Sequence, residues 1–449
     1  MATPRRVSEN GHSKQSPAPQ QDAPAQKGSP SRGGGRRVLR TLGLGLITGA
    51  ADDDPSAIGT YASAGAAIGP AFLWTAPVTF PMMCAVVYLS AKLGQVSGKG
   101  LFHVIRDNYP RWILYPALIG VLIGNVIEAG ADIGGMAAAI QVLLPIPAPL
   151  IIIPVTAAIF ALQLCGSYTL IRNIFRWLAL TLLAYVGAAI LAKPDWLEVL
   201  KGTVLPAVHF DQKFLSLLVA VVGTTLSAYL YTWQSNQEVE EEIAMGRRRL
   251  VDRKGATRQE LRETKNDVVA GMFFSNVVMY FIILSTAATL FKTGPHEINT
   301  AAEAAQALRP LAGPAASVLF ALGVIGVGFL AVPVMTTGAA YDLCQVLGWK
   351  HSLHAKPAEA KRFYVTIGAF TALAMGLNFL GFNPMKALVY SGIVQGFSTP
   401  PLLLLIMLIT NNRRIMGKRV NTFWMNVLGW ITTAAIFAAS IGLITSWFL

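Results

Sequence analysis

The chain is predicted to be an all-α polytopic membrane protein. About 11 transmembrane helices form a 5+5 inverted repeat whose helices 1 and 6 are broken. Hydrophobic residues make up 53% of the 449 and charged residues 13%, a balance that no ordinary soluble domain carries. Three consecutive aspartates, Asp52, Asp53 and Asp54, interrupt the first long apolar stretch, with Pro55 directly after them. The sixth apolar stretch has its own interruption of small and hydroxyl residues, from Gly223-Thr224-Thr225 to Ser227.

The apolar segments run over 42–68, 72–93, 113–144, 150–164, 174–192, 214–234, 268–291, 315–347, 363–380, 387–410 and 423–449. Several exceed the bilayer's needs and must tilt or project beyond it, and the fourth is short. The first 38 residues are rich in Ser, Pro, Gln, Gly and Arg, cannot bury enough apolar surface to fold, and read as a disordered basic tail. No apolar run near Met1 reads as a cleaved signal peptide. The transporter domain is expected over 39–449, with repeat one about 39–193, repeat two about 213–411 and an extra helix about 421–449.

The net charge of +13 sits in the tail and in alternate connections, so it reports topology rather than nucleic-acid binding. Arg36, Arg37 and Arg40 share a side with Lys92, Lys99 and Arg106, with Arg172 and Arg176, and with Arg247-Arg248-Arg249. The connections around Lys350, Lys361 and Arg362, and around Arg413 and Arg414, fall on that same side. Opposite connections are poor in cations. The N-terminus is therefore expected in the cytoplasm of a cell carrying this protein in its plasma membrane, and Leu449 outside. After the sixth segment, the run from Glu238 through Glu240, Glu241 and Glu242 reads as the start of a soluble connection. Cys84, Cys165 and Cys344 lie in apolar stretches without metal-ligand spacing and read as packing residues.

One segment carries most of the functional signal. A carboxylate at bilayer depth costs at least ~2.5 kcal/mol, so Asp52, Asp53 and Asp54 must face protein or water. Proline after them marks a place where the helix breaks and frees carbonyls. Acidic side chains with freed carbonyls make an oxygen-rich cation site. Asp54 is the first candidate ligand, and the same residue is placed to cap the second half-helix. Asp52 and Asp53 are further candidates. The carbonyls of Ala51 and Thr224 and the hydroxyl of Ser227 could add oxygens where both helices unwind, or could serve ordinary packing. In the third segment Glu128 and Asp132 are spaced i, i+4 on one helical face, which suggests a proton or water path. Tyr229 and Gln234 are weaker members of that path, and Asn276 reads as an interhelical hydrogen-bonder. No nucleophile–base pair or cofactor fingerprint points to an enzyme, and no permanently bound cofactor is expected. A cation is the expected substrate and the lipid bilayer the other partner.

The run Gly-Leu-Ile-Thr-Gly-Ala-Ala-Asp-Asp-Asp-Pro-Ser, the stretch from Gly223 to Gln234 and Asp132 resemble the Nramp family of divalent metal transporters, over essentially the whole chain after the tail. The resemblance implies a LeuT-type fold, a metal site between broken helices 1 and 6, a divalent metal ion as the substrate, and proton-linked uptake of manganese or ferrous iron by alternating access, with protons as the coupled partner. Where the family has Asp-Pro-Gly-Asn, this chain has Asp54-Pro55-Ser56-Ala57, and where it has Met-Pro-His-Asn, the chain has Ser227-Ala228-Tyr229-Leu230. The family's glutamate three residues after Asp132 is Gly135 here. Loss of the soft sulfur ligand and addition of carboxylates favour Mg²⁺ or Mn²⁺. This looks like the divergent branch that includes Nramp-related magnesium transporters. Two rivals remain at this stage: a LeuT-type carrier for an organic substrate, and a non-transporting metal sensor signalling through the connection 238–267.

Overall fold

The computed structural model describes residues 44–165 and 180–448, and no strand occurs among them. Predictions for the tail at 1–38, and for Arg172 and Arg176, lie outside the described residues. The main helices are α1 (Leu44–Asp52), α2 (Pro55–Ile68), α3 (Thr75–Ser97), α4 (Leu101–Asn108), α5 (Arg111–Leu143), α6 (Ala148–Cys165), α7 (Ala184–Leu191) and α8 (Trp196–Val204). They continue with α9 (Gln212–Thr225), α10 (Ala228–Ala244), α11 (Arg258–Thr289), α12 (Ala316–Leu347), α13 (Lys361–Leu377), α14 (Pro384–Thr410) and α15 (Phe423–Ser446). Among the described residues, eight helical stretches are long and apolar enough to cross a membrane. The broken pair α1/α2 and the shorter apolar helices Ala148–Leu164 and Thr181–Leu191 supply the other predicted segments.

Both breaks fall where local chemistry puts them. At the first, Asp54 adopts an extended conformation (φ −63°, ψ 172°), and its carboxylate accepts from the backbone N–H of Ala57 at 2.7 Å. Pro55 then occupies the first helical position, where its missing N–H costs nothing. At the second, Leu226 and Ser227 leave helical geometry between α9 and α10. The Ser227 hydroxyl donates back to the carbonyls of Gly223 and Thr224 at 2.9 and 2.8 Å, satisfying the end of α9 instead of capping α10. A capping box of Thr257 and Glu260 starts α11.

The broken helices sit at the centre of the bundle. Helices α1 and α2 pack on α11, α10 on α3, α9 on α14, and α5 on α12 and α14. Small residues permit the closest approaches. A Cβ on Gly223 would run into the backbone of Gly392 and Gly396 on α14, and one on Gly49 into the carbonyl of Gly271 on α11.

The predicted boundary after the sixth segment is corrected. Helix α10 continues to Ala244, and Glu238, Glu240 and Glu242 are buried at 3%, 6% and 3% exposure, so the connection begins only after the last of them. Partners explain the difference. Gln234 and Gln95 donate to Glu238 at 2.8 Å each, and Tyr341 and Ser352 donate to Glu240 at 2.9 and 2.8 Å. Carboxylates with such donors are tolerated in a helix that composition alone would end earlier.

Substituting Gly223→Ala should lower stability by about 1–3 kcal/mol, because the obstructing atoms are backbone and cannot rotate away. Thermal unfolding in detergent measures this, and an unchanged midpoint would show that α9 and α14 are not packed this closely.

Candidate metal centre at the two helix breaks

The site is built where the two breaks meet. Asp54 offers one carboxylate oxygen to its own helix and the other, Oδ2, to the Tyr229 hydroxyl at 3.0 Å. The same hydroxyl lies 2.8 Å from the carbonyl oxygen of Ala51, at the last turn of α1. Oxygens from α1, from the start of α2 and from the start of α10 thus converge on one point, with a single hydroxyl proton among them. That proton can serve one acceptor fully at a time. An oxygen-seeking cation at the point of convergence would serve all of them.

Asp132 on α5 accepts from the backbone N–H and the hydroxyl of Ser56 at 2.9 and 2.6 Å, and Ser391 on α14 donates to the Ser56 hydroxyl at 3.0 Å. Glu128, one turn earlier, accepts from Gln395 of α14 at 2.7 Å and from Ser227 at 3.4 Å. The two acidic residues therefore share a face, as their spacing requires, but each is held by a different partner.

Asp52 and Asp53 turn towards α11. The Ser275 hydroxyl lies 2.5 Å from Asp52 and 3.2 Å from Asp53. The remaining oxygens, Asp52 Oδ1 and Asp53 Oδ2, have no hydrogen-bond partner, nor has Asp132 Oδ2. The carbonyl of Thr224 accepts from the Ser227 hydroxyl, which engages α9 at short distance and Glu128 only at 3.4 Å. Gln234 is tied to Thr48 at 2.6 Å and to Glu238 at 2.8 Å rather than to Glu128 or Asp132. Asn276 donates to the carbonyl of Ala76 at 2.9 Å, joining α11 to α3.

The electrostatics are lopsided. Asp52, Asp53, Asp54, Glu128 and Asp132 are all completely buried. Among the described residues none of them pairs with Lys, Arg or His. Buried carboxyls without a cationic side chain need protons or a bound cation to balance them. No group of three or more His, Cys, Asp or Glu side chains surrounds a common point among the described residues, so backbone and hydroxyl oxygens must contribute to any such centre.

Ser56, Ser275, Ser391 and Gln395 were not singled out from sequence. A faint signal exists on α14, where Ser391, Gln395 and Thr399 recur every four residues in an otherwise apolar helix, and all three are buried. Nothing comparable marks Ser275.

The family profile described as natural resistance-associated macrophage protein-like, Nramp, matches residues 45–446. The chain belongs to the Nramp family. The divalent metal cation transporter MntH of Bacillus subtilis (strain 168) is 28% identical over 423 residues, covering 92% of this chain and 94% of the relative. MntH of Deinococcus radiodurans is 28% identical over 431 residues, covering 94% of each. The crystal structure of the Eremococcus coleocola manganese transporter in complex with an aromatic bis-isothiourea substituted compound superposes with a TM-score of 0.70. It is 17% identical and covers 93% of this chain and 89% of that one. Mhp1, a nucleobase-cation-symport-1 family transporter in a closed conformation, has a TM-score of 0.55 at 15% identity, covering 90% of this chain and 92% of that one. These likenesses carry the fold, an integral membrane helical bundle of the LeuT type.

Within this Nramp chain the Tyr229 hydroxyl joins the two helix breaks. Tyr229→Phe removes the donor shared by the Ala51 carbonyl and Asp54 Oδ2, and its loss should cost about 1–3 kcal/mol. A fall in the unfolding midpoint of the metal-free protein in detergent checks this.

Proposed function

We propose that the chain carries a divalent metal cation across the membrane by alternating access, importing Mg²⁺ or Mn²⁺. The observation that supports this best is the convergence of Asp54 Oδ2, the Ala51 carbonyl and the Tyr229 hydroxyl between the two helix breaks. Family membership and the MntH relatives support the same class of cargo. Asp54 is the principal ligand, assisted by the Ala51 carbonyl and by Tyr229. Asp52 and Asp53 add negative charge from the α11 side and become ligands when α1 moves. The carbonyl of Thr224 and the hydroxyl of Ser227 join as α9 and α10 swing.

Chemistry favours a hard ion. Every side chain identified at the centre offers oxygen or amide nitrogen, and the family's methionine position holds Ser227. Oxygen-only sites suit Mg²⁺ and Mn²⁺, and Mg²⁺ keeps several waters when bound. Glu128 and Asp132 form the wall over which protons move when the ion does. The N-terminus and the basic connections face the cytoplasm of the plasma membrane.

The sensor alternative loses support from the connection after α10. Its Gly255 N–H donates to the carbonyl of Val96 at 2.9 Å, and Arg253 donates to the carbonyl of Gly98 at 3.4 Å, so the segment lies against the end of α3.

In proteoliposomes the protein should take up Mg²⁺ and Mn²⁺, and absence of flux for both would end this reading. Asp54→Asn should weaken metal binding at least about 100-fold, roughly 2.7 kcal/mol, by isothermal titration calorimetry. Unchanged affinity would remove Asp54 from the site. With internal pH followed alongside uptake, Asp132→Asn should reduce proton movement per metal ion; an identical ratio would take Asp132 out of the proton path.

A further inference from the structure

We infer that Asp342, with the amides of Asn236 and Gln345, forms a second, weaker station for a hydrated divalent cation between the helix breaks and the basic face of the protein. This rests on the transport reading and extends it to the route by which the ion leaves.

Asp342 lies on α12, and its side chain is completely buried. Its carboxyl group accepts from the Asn236 amide at a long 3.4 Å and interacts with the neighbouring Thr232 hydroxyl, while Oδ2 has no hydrogen-bond partner. No Lys, Arg or His pairs with it among the described residues. An uncompensated carboxylate inside a membrane bundle calls for a role.

Its position supplies one. Asn236 is two turns along α10 from Tyr229, ~10 Å, with Thr232 between them on the same face. Asn236 accepts from the Gln345 amide at 2.6 Å, and Gln345 accepts from the His103 backbone N–H at 3.0 Å. Asn236 and Gln345 also line a cavity of about 330 Å³ that continues past Glu240 to Arg253. Six waters around an ion occupy roughly 180 Å³, so a hydrated cation fits there. Asp342 does not line that cavity itself but lies 3.4 Å from the Asn236 amide, which does. Rotation of the two amides would present their oxygens beside the carboxylate, a donor set that hard cations accept with water retained.

Of the cations lining the cavity, Lys99 is ion-paired with Asp107 at 2.6 Å, and Arg253 donates to the carbonyl of Arg248 at 2.9 Å and keeps its charge. Burial holds the His103 imidazole down at about 4, despite Asp107 beside it, so it is neutral near pH 7. The remaining positive charge keeps the station weak, as a release step requires.

The test uses the full-length protein in two measurements. In proteoliposomes Asp342→Asn should lower the maximal uptake rate about tenfold while calorimetric affinity at the Asp54 centre stays within about twofold. In detergent, Mn²⁺ titration of Asp54→Asn followed by electron paramagnetic resonance should reveal a residual weak site that disappears in the Asp54→Asn/Asp342→Asn double variant. Should Asp342→Asn fail to fold, Asn236→Ala removes an oxygen but no charge and should slow uptake in the same direction. Wild-type uptake rates in Asp342→Asn, or identical titrations of the single and double variants, would overturn this inference and leave the functional reading standing. A wild-type protein that moves no divalent cation would overturn both.

Discussion

The Tyr229 hydroxyl joins the two helix breaks. It reaches the carbonyl at the end of α1 and the carboxylate at the start of α2 from the first turn of α10. Without that bridge, two discontinuous helices would meet at mid-bundle with unsatisfied backbone and a buried charge facing each other. In the proposed alternating-access cycle such a junction would be made and unmade. A single neutral hydroxyl is a suitable clasp, because each of its contacts is worth only about a kcal/mol net.

The rest of the bundle manages negative charge. Completely buried acidic side chains surround the breaks, and the protein answers them with hydroxyls and amides: Ser275 for Asp52 and Asp53, Ser56 for Asp132, Gln395 for Glu128. Neutral donors orient a carboxylate without neutralising it. A lysine or arginine at any of these positions would hold each acid more tightly and remove the reason for a cation to enter. The donors come from different helices, α2, α11 and α14, so the charge balance is tied to how those helices sit. In the proposed cycle a change of ionic occupancy at the centre is thereby felt by several helices at once.

At the positions where the family resemblance places a methionine and a histidine, this chain has Ser227 and Tyr229, and the two behave differently. Ser227 turns inward to terminate α9. Tyr229 reaches out to the opposite break. A larger, neutral side chain thus substitutes for a titratable one at the junction, while the acidic run Asp52–Asp54 enriches the neighbourhood in hard oxygen.

Composition, the spacing of apolar segments and the placement of basic connections were enough to define a membrane bundle with its breaks. Asp54 before Pro55 was legible as a cap because capping is a local interaction, decided within four residues. The shared face of Glu128 and Asp132 followed from helical periodicity alone. What the sequence left open depends on helix rotation and tilt, which are set by packing between segments distant in the chain. Only the tertiary structure decided that Tyr229 meets Ala51 and Asp54, that Ser275 stands between Asp52 and Asp53, and that Gln234 turns to Thr48 and Glu238. It also decided that the acidic end of α10 stays buried, since Gln95, Tyr341 and Ser352, from elements far along the chain, supply its donors.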